Sequence, residues 1–277
     1  MRVLVTGAAG SIGSVLCSGL ADRGHEVVGL DRVPAPDGYA GAWFTADCAD
    51  ADAVEEVFAE LDRPPVDAVV HLAGLPAEVA LPEELESHLL TTAALLDAMV
   101  RHRVSRIVYA SSIHAVGRER RTGPPGTVSL RSDGPPRADT FYGVAKVAAE
   151  ALLRLYVDRH GLDAVATRIG TFNTQPENLR QLASWLSPDD AVRMFDACLT
   201  APDPGYAVVY GVSANTRGWW DLAPGRALGY HPEDDAEHWA TQLPAPTERD
   251  RVEDGFAGGE WALEHFHRPA LDLKDIP

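Results

Sequence analysis

A tyrosine and a lysine four residues apart are the pair in this chain with the most direct chemical use. Tyr142 and Lys146 open a segment with helical periodicity, so both lie on one face of a helix. A free phenol has a pKa of about 10, and a neighbouring ammonium group lowers it. The resulting phenolate can take a proton from a substrate hydroxyl while a hydride leaves the same carbon. The pair predicts a dehydrogenase site; for this spacing alone, an ordinary surface pair is the alternative.

Two serines stand at the end of a predicted strand, upstream of that helix. Ser111 and Ser112 follow an apolar run over residues 105–110, which places them at the carboxyl edge of a sheet. There the Ser112 hydroxyl can hydrogen-bond the substrate oxygen and polarise it. For Ser112 taken by itself, capping of the strand end is the alternative. Ser112, Tyr142 and Lys146 are therefore the predicted catalytic residues.

A glycine-rich turn near residue 10 predicts a nucleotide site. The motif Gly7-Ala-Ala-Gly10-Ser-Ile-Gly13 follows an apolar strand and precedes a helical pattern. Glycines let the backbone approach a pyrophosphate, and the helix N-terminus supplies N–H donors and a positive dipole end. The predicted contacts come from Gly7, Gly10, Ser11, Ile12 and Gly13.

Acidic residues at the next strand ends indicate which nucleotide binds. Asp31 ends the second strand, about 20 residues after the glycines, where a carboxylate accepts both ribose hydroxyls. Such a carboxylate repels a 2′-phosphate, so NAD is the predicted cofactor, although Arg32 could hold that phosphate. Asp47 could accept the adenine amino group or form a turn. Lys146 can also hold the nicotinamide ribose. The remaining predicted contacts are small residues after the fourth strand: Leu72, Ala73 and Gly74.

The elements that position these residues alternate between apolar strands and longer helical patterns. Strands are predicted at 1–6, 26–30, 42–46, 66–72, 105–110 and 162–169, and helices at 11–23, 51–61, 82–103 and 141–160. This order predicts an α/β fold, a doubly wound, Rossmann-like parallel sheet with helices on both faces. Residues 117–137 predict a long loop of the kind that often forms a lid.

The pattern weakens past residue 170, where one helix (189–199) and one strand (206–210) are predicted. We expect residues 1–170 to form the NAD-binding core with the catalytic residues. Residues 171–277 are expected to form a small substrate-binding and capping segment of the same globular unit, because late segments in such folds cover the carboxyl ends of the strands.

Composition argues against several classes of function. The formal net charge of −17 disfavours nucleic acid and anionic membranes as partners. No apolar run approaches the roughly 20 residues needed to span a membrane, and no signal peptide is expected. Cys17, Cys48 and Cys198 lie far apart without metal-ligand spacing, which favours a reducing, cytoplasmic location. His265 and His267 have no third ligand nearby in the sequence, so no metal is expected.

The motifs together carry a family resemblance over residues 1 to about 170. VTGAAGSIG, Asp31, Asp47, HLAG, SSIHAVG and YGVAK occur in this order. They resemble the extended short-chain dehydrogenases, also called the NAD-dependent epimerase/dehydratase family. Within it the chain most resembles the uronate dehydrogenases, to about residue 240. That closer likeness rests on residues 168–180 (RIGTFNTQPENLR), 185–190 (WLSPDD), 213–221 (SANTRGWWD) and 228–234 (LGYHPED).

The resemblance implies an activity: oxidation of the C1 hydroxyl of a pyranose uronic acid to an aldonolactone, with reduction of NAD. By position, it implies a catalytic triad of Ser112, Tyr142 and Lys146. It places Arg180 against the substrate carboxylate, which a guanidinium fork meets bidentately. Thr171 and His114 match other substrate-side positions. The expected partner is a carboxylate-bearing small molecule, and we also expect a homo-oligomer.

Several positions depart from the uronate dehydrogenase pattern: Pro76, His88, Ile113 and Phe172. Most of these changes remove polar contacts that a hydroxyl-rich acid would use, so a related acid or a less hydroxylated substrate is an alternative. A second alternative is a sugar epimerase or dehydratase, which returns the hydride to its own substrate. A third is a redox sensor without catalysis, against which both Tyr142 and Lys146 are present.

Overall fold

A seven-stranded parallel sheet forms the centre of the protein in the computed structural model, which describes residues 1–62, 64–263 and 266. The strand order is β3-β2-β1-β4-β5-β6-β9, with every neighbouring pair parallel. The bounds are β1 Arg2–Thr6, β2 Glu26–Asp31, β3 Ala42–Thr45, β4 Ala68–His71, β5 Arg106–Ser112, β6 Asp163–Ile169 and β9 Tyr206–Gly211. A separate parallel pair joins β7 Thr171–Phe172 and β8 Trp185–Leu186.

Helices cover both faces of this sheet. Their bounds are α1 Ser11–Asp22, α2 Ala51–Glu60, α3 Leu81–Glu84, α4 Thr91–His102, α5 Phe141–His160, α6 Gln181–Ser184, α7 Pro188–Thr200, α8 Ala223–Ala227 and α9 Glu248–Glu253. Helices α1 and α7 pack against one face, and α2, α4 and α5 pack against the other. The predicted doubly wound arrangement is thereby confirmed.

The first strand shows why the sheet has two separate cores. Val3 and Val5 join the cluster under α1 and α7, whereas Leu4 joins the cluster on the opposite face. Successive side chains of a strand point to opposite faces, so a strand buried on both must be apolar throughout. All three side chains are fully buried.

The predicted helix over 82–103 is present as one unbroken helical segment, residues 81–102, whose hydrogen bonding changes in the middle. Between α3 and α4 the chain forms a π-helical turn over Leu85–Leu90. Two threonine hydroxyls bond back to carbonyls at this point: Thr91 Oγ1 donates to the Ser87 carbonyl (2.7 Å) and Thr92 Oγ1 donates to the His88 carbonyl (2.5 Å). Such turns are often found at functional sites, and this one brings His88 to the site described below.

Residues 254–262, here called the C-terminal strap, run back across the loop that follows β5. Phe256 forms a bridge with Arg120, and the Gly258 N–H donates to the Gly117 carbonyl (2.9 Å). Arg118 donates to the Ala262 carbonyl (2.6 Å). The predicted lid loop is therefore tied down by the strap over its first residues, which periodicity could not show.

The structure bears on membrane spans and metal sites only for the residues that it describes. Within residues 1–62, 64–263 and 266, no helix is long and apolar enough to cross a membrane. The same ranges hold no group of three or more His, Cys, Asp or Glu side chains that could bind a metal ion. His265 and His267 lie outside the described residues. Cys17, Cys48 and Cys198 are buried thiols.

Candidate active site

A cleft of about 760 Å³ lies along the carboxyl ends of the strands. It passes between β1 and β4, where the strand order changes direction and where doubly wound sheets bind ligands. It is lined by all eleven residues predicted to bind the cofactor: Gly7, Gly10, Ser11, Ile12, Gly13, Asp31, Asp47, Leu72, Ala73, Gly74 and Lys146. Ser112, Tyr142 and His114 line its other end.

The glycines of the nucleotide end form a cradle that side chains would fill. Gly7 has φ +68°, and a Cβ there would lie 2.8 Å from the Ala73 nitrogen. A Cβ on Gly13 would lie 2.2 Å from the Gly7 carbonyl oxygen. The glycine loop therefore packs directly on the β4 turn and leaves its amides at the start of α1 beside the cleft. This cradle fits a pyrophosphate held at a helix N-terminus.

The acidic side chains of this end are partly engaged with the backbone. Asp31 accepts the Ala9 N–H (2.9 Å), which ties the second strand to the glycine loop. Asp47 accepts the Ala49 N–H (2.9 Å), so its side chain stabilises a turn, which was one of the two predicted roles. Asp47 also lines the cleft, as the adenine-binding role requires. Arg32 lies 4.0 Å from Asp47, with both side chains largely exposed.

At the catalytic end, Tyr142 and Lys146 share the first turns of α5. Lys146 is buried, donates from Nζ to the Ala110 carbonyl (2.8 Å) and lies 5.3 Å from the centre of the Tyr142 ring. Burial lowers the pKa of Lys146 to about 7. Ser112 ends β5 and hydrogen-bonds the Tyr142 side chain. The three predicted catalytic residues are therefore brought together.

The protein's own groups do not by themselves lower the pKa of the Tyr142 phenol. Burial raises the pKa of Tyr142 to about 12, and the opposing hydrogen bond to Ser112 is the smaller influence. The Lys146 ammonium is directed at the Ala110 carbonyl. A periodicity argument could pair the two side chains but could not weigh burial against charge.

A buried network beneath the cleft fixes α5 against the sheet. Ser111 donates to Glu150 (2.5 Å), and Arg168 on β6 meets both oxygens of Glu150 at 2.9 and 2.7 Å. Glu150 and Arg168 expose only 6% and 3% of their side chains. Bidentate pairing satisfies both buried charges, so the network fixes the position of the helix that carries Tyr142.

The N-terminus of α5 is held by a local cap and by a distant carboxylate that the sequence did not reveal. Glu78, in the loop after β4, accepts the Phe141 N–H (3.0 Å) and the Tyr142 N–H (2.8 Å). Thr140 caps the helix by accepting the Gly143 N–H (3.0 Å). Glu78 is 63 residues from Phe141, so no local signal connects them. The carboxylate also suits the positive end of the helix dipole.

Aromatic side chains close the substrate end of the cleft. His114 stacks on Trp261 of the strap, with ring centres 4.4 Å apart, and the Tyr142 ring meets His114 edge-on at 5.8 Å. Asp139 accepts from His114 Nδ1 (2.9 Å). Gly258 passes so close to Asp139 that a Cβ would lie on its carboxylate. The strap therefore helps to form this wall.

Residues 3–175 match the model of the NAD dependent epimerase/dehydratase family. This chain belongs to that family. Uronate dehydrogenase of Pseudomonas putida is 36% identical over 256 residues, which cover 90% of this chain and 91% of that protein. The crystal structure of uronate dehydrogenase from Agrobacterium tumefaciens gives a TM-score of 0.84 at 36% identity, over 94% of this chain and 96% of that chain.

A second similar structure is that of a glucuronic acid dehydrogenase from Chromohalobacter salexigens, with a TM-score of 0.83 and 32% identity. The match covers 94% of this chain and 96% of that chain. These likenesses extend well past the matched residues 3–175, so the epimerase/dehydratase fold and the segment after it are shared. The family resemblance predicted from the motifs is confirmed.

Two of the predicted substrate residues, Arg180 and Thr171, lie outside the cleft lining. Arg180 donates to the Thr171 hydroxyl (3.4 Å) and to the Ala257 carbonyl of the strap (3.0 Å). Its Nε is buried without a hydrogen-bond partner, and Gly259 packs on its side chain. Burial lowers the pKa of Arg180, with Asp139 acting in the opposite direction. The guanidinium thus has unused donor capacity behind the strap.

Three of the four positions that depart from the uronate dehydrogenase pattern do face the cleft. Pro76, His88 and Phe172 line it, so they reshape the cavity itself. Ile113 instead is 1% exposed and packs in a cluster with Val116. The change at Ile113 therefore adds to a core, whereas the other three alter what the cleft offers a ligand.

Proposed function

We propose that this protein is an NAD-dependent dehydrogenase that oxidises a hydroxyl of a sugar acid, of the type that converts a uronate to an aldonolactone. One observation carries the proposal: Ser112, Tyr142 and Lys146 meet at one end of a cleft whose other end is a glycine cradle. The uronate dehydrogenase relatives, matched over nearly their whole length, support the acid substrate.

Each residue group along the cleft would have its own role in the reaction. The glycine loop and Asp31 hold the nucleotide, and Lys146 orients its nicotinamide end. NAD, when bound, accepts the hydride. Tyr142 accepts the hydroxyl proton, and Ser112 hydrogen-bonds the same oxygen so that it faces the phenol. Because burial raises the pKa of Tyr142 to about 12, the positive charge of an oxidised nicotinamide is needed to favour the phenolate.

Arg180 is proposed to bind the substrate carboxylate. Its unpartnered Nε and its Ala257 contact support this role, since a carboxylate would offer stronger acceptors than a backbone carbonyl. The strap residues 257–259 must then shift from their present position on the guanidinium. Thr171, which accepts from Arg180, and His114 are proposed to contact the same ligand. Residues 171–277 would accordingly cap the NAD-binding core of residues 1–170.

A less hydroxylated acid is a second candidate substrate, favoured by the apolar lining at the substrate end. Pro76, Phe172 and Trp261 offer ring and aliphatic surface where a sugar would need hydrogen-bond partners. The epimerase alternative is distinguished by its hydride, which returns to the substrate and leaves no net NADH. The expected homo-oligomer and cytoplasmic location stay predictions.

The test is a panel of uronic acids, neutral sugars and simple hydroxy acids offered with NAD, with NADH absorbance as the readout. We expect the acids to give net NADH and the neutral sugars to give far less, with Tyr142→Phe as the inactive control. Turnover of a nucleotide sugar without NADH accumulation would establish an epimerase instead. No turnover across the acids would contradict the proposal.

A further inference from the structure

One edge of the Arg180 guanidinium, formed by Nε and Nη2, is only half used. Nη2 donates to the Ala257 carbonyl (3.0 Å), whereas Nε is buried and finds no hydrogen-bond partner in the part of the chain that the structure describes. Nη1, on the other edge, reaches only the Thr171 hydroxyl, at 3.4 Å. A buried donor without an acceptor costs free energy, so the half-used edge needs an explanation.

The same edge binds a carboxylate elsewhere in this chain. Arg168 presents Nε and Nη2 to the two oxygens of Glu150, at 2.9 and 2.7 Å. Arg217 presents the same two atoms to Glu237, at 2.6 and 2.8 Å. Each carboxylate accepts from both nitrogens at once, which is the bidentate geometry of the guanidinium fork. On Arg180 one carbonyl oxygen stands where a carboxylate would supply two.

The carboxylates nearest to Arg180 do not complete this edge. Three of them oppose the effect of burial, which lowers the pKa of Arg180, and these are Asp139, Glu253 and Asp254. Each already has another partner: Asp139 has His114 (2.9 Å), Glu253 has Arg249 (2.7 Å) and Asp254 has Arg121 (2.7 Å). The charge of the guanidinium is therefore balanced from a distance, while its edge stays incomplete.

The C-terminal strap covers the incomplete edge. Gly259 has φ +62°, and a Cβ there would lie 2.4 Å from Arg180 Nε, so only a glycine allows this approach. The Ala257 N–H donates to the Glu119 carbonyl (3.0 Å), so the strap is bound to the loop after β5 on one side and to Arg180 on the other. A ligand carboxylate and the strap therefore compete for the same two nitrogens.

We propose that the strap is a selectivity gate: the Ala257 carbonyl holds it on Arg180, and a ligand carboxylate displaces it by taking both nitrogens of the edge. The gate rests on the proposed dehydrogenase function with an acid substrate. Hydrogen bonds to an ionised acceptor are roughly twice as strong as those to a neutral one, so the exchange favours the acid. The hydroxyls of a neutral sugar offer no such gain, and the strap stays in place.

Displacement of the strap also changes the wall of the cleft. Trp261 lies two residues past Gly259, lines the cleft and stacks on His114 with ring centres 4.4 Å apart. A shift of residues 257–259 therefore moves a ring that borders the substrate end. An acid would thus enlarge the space that a neutral ligand finds closed.

The first test examines the Arg180–Ala257 hydrogen bond without any ligand. Arg180→Met keeps much of the aliphatic stem and has no donor, and Arg101→Met is the control, because it removes a guanidinium from an exposed ion pair on α4. Hydrogen exchange of residues 254–262, followed by mass spectrometry, should become roughly 10- to 100-fold faster in Arg180→Met, as expected for one lost bond to a charged group. Arg101→Met should match the wild type. Unchanged exchange in Arg180→Met would overturn the gate.

The second test adds ligand to the wild type without NAD. A saturating hexuronate should speed up exchange of the strap, whereas the corresponding neutral hexose should leave it unchanged. Arg180→Met should respond to neither. Protection of the strap by the acid would show that it closes on the substrate, and a hexuronate that is oxidised without any change in the strap would also overturn the gate. If no acid is bound or oxidised, the proposed function fails, while the first test still decides whether Arg180 holds the strap.

The third test is kinetic and compares two glycines of the strap. Gly259→Ala would place a methyl group on the Arg180 side chain, whereas the Cβ of Gly255→Ala meets only the Val252 carbonyl, at 3.2 Å. Because Gly259→Ala destabilises the closed strap, less of the acid's binding energy is needed to displace it. The ratio of KM for the acid to KM for its neutral analogue should therefore fall at least about threefold, with no change in Gly255→Ala. A higher ratio in Gly259→Ala would mean that the strap completes the acid site, and the gate would be wrong.

Discussion

At Tyr142, burial and the hydrogen bond with Ser112 act on the pKa of one hydroxyl in opposite directions. Replacing it with phenylalanine removes the proton acceptor and keeps the ring that contacts His88 and His114. We expect NAD binding and the melting temperature to be nearly unchanged, and turnover to fall by roughly 10²–10⁴-fold, the usual effect of a positioned acid–base group. Steady-state kinetics with fluorescence titration of NADH checks both halves. Near-normal turnover would remove Tyr142 from its role.

Asp31 is expected to set the choice of nucleotide. Its carboxylate lies in the cleft, tied to the glycine loop, where it would repel a 2′-phosphate. The ratio of kcat/KM for NAD to that for NADP should therefore be large in the wild type. Asp31→Asn should reduce it by at least about tenfold, corresponding to about 1.4 kcal/mol, while Arg32→Ala should leave the preference for NAD intact. Equal use of both nucleotides by the wild type would contradict this.

Arg180 provides the test of the acid substrate. If it binds the carboxylate, Arg180→Ala should lose roughly 30-fold to several thousand-fold in kcat/KM, because truncating a buried charge pair costs about 2–5 kcal/mol. The neutral alcohol or amide analogue of the same substrate should lose much less. An equal loss for both would show that Arg180 only anchors the strap through Ala257.

Helix α5 is joined to strand β6 by a single buried ion pair between Glu150 and Arg168. Glu150→Leu would leave the Arg168 guanidinium buried without its counter-charge, and we expect a loss of about 3–5 kcal/mol in the free energy of unfolding. The double variant Glu150→Leu/Arg168→Leu should recover much of that loss, because neither charge remains. Urea denaturation measures all three proteins. A double variant no more stable than the single one would mean that packing, and not charge, is what the pair supplies.

The elements also show what sequence alone can and cannot predict. The bounds of α5 follow from the Thr140 cap and from Gly161 just past its end, where φ is +70°. These are local signals, and the helix was predicted at the residues observed. The π-helical turn at 85–90 is a change of backbone hydrogen bonding within a continuous helix, and hydrophobic periodicity does not report hydrogen bonding.

The site shows the same division between local and long-range information. Strand-end motifs located all the cofactor candidates, because parallel strands bring their carboxyl ends to one edge. The contacts of Glu78 with α5 and of Trp261 with His114 join residues far apart in the chain. Hydrophobic periodicity does not report contacts between residues that are far apart in the sequence. The position of Arg180 behind the strap is such a contact, and it was therefore not predicted.

For the whole molecule, net charge predicts a response to salt. Forty-one acidic side chains against 24 lysines and arginines give −17, and their mutual repulsion opposes the compact state. Raising sodium chloride from about 0.02 to 0.5 M shortens the Debye length several-fold, so the melting temperature should rise by about a few degrees. Calorimetry in sodium and in potassium chloride separates screening from ion binding. A falling melting temperature would show that local ion pairs such as Arg217–Glu237 dominate instead.

The path of the strap has a consequence for the order in which the protein is made. Residues 1–74 contain the whole glycine cradle and the β4 turn that it packs on. Trp261 and the residues that cover Arg180 lie far downstream of this cradle, beyond α5 and β9. During translation the residues of the cradle are therefore made first, and those that close the substrate end are made only after the whole parallel sheet. The two ends of one cleft are thus separated in time as well as in sequence.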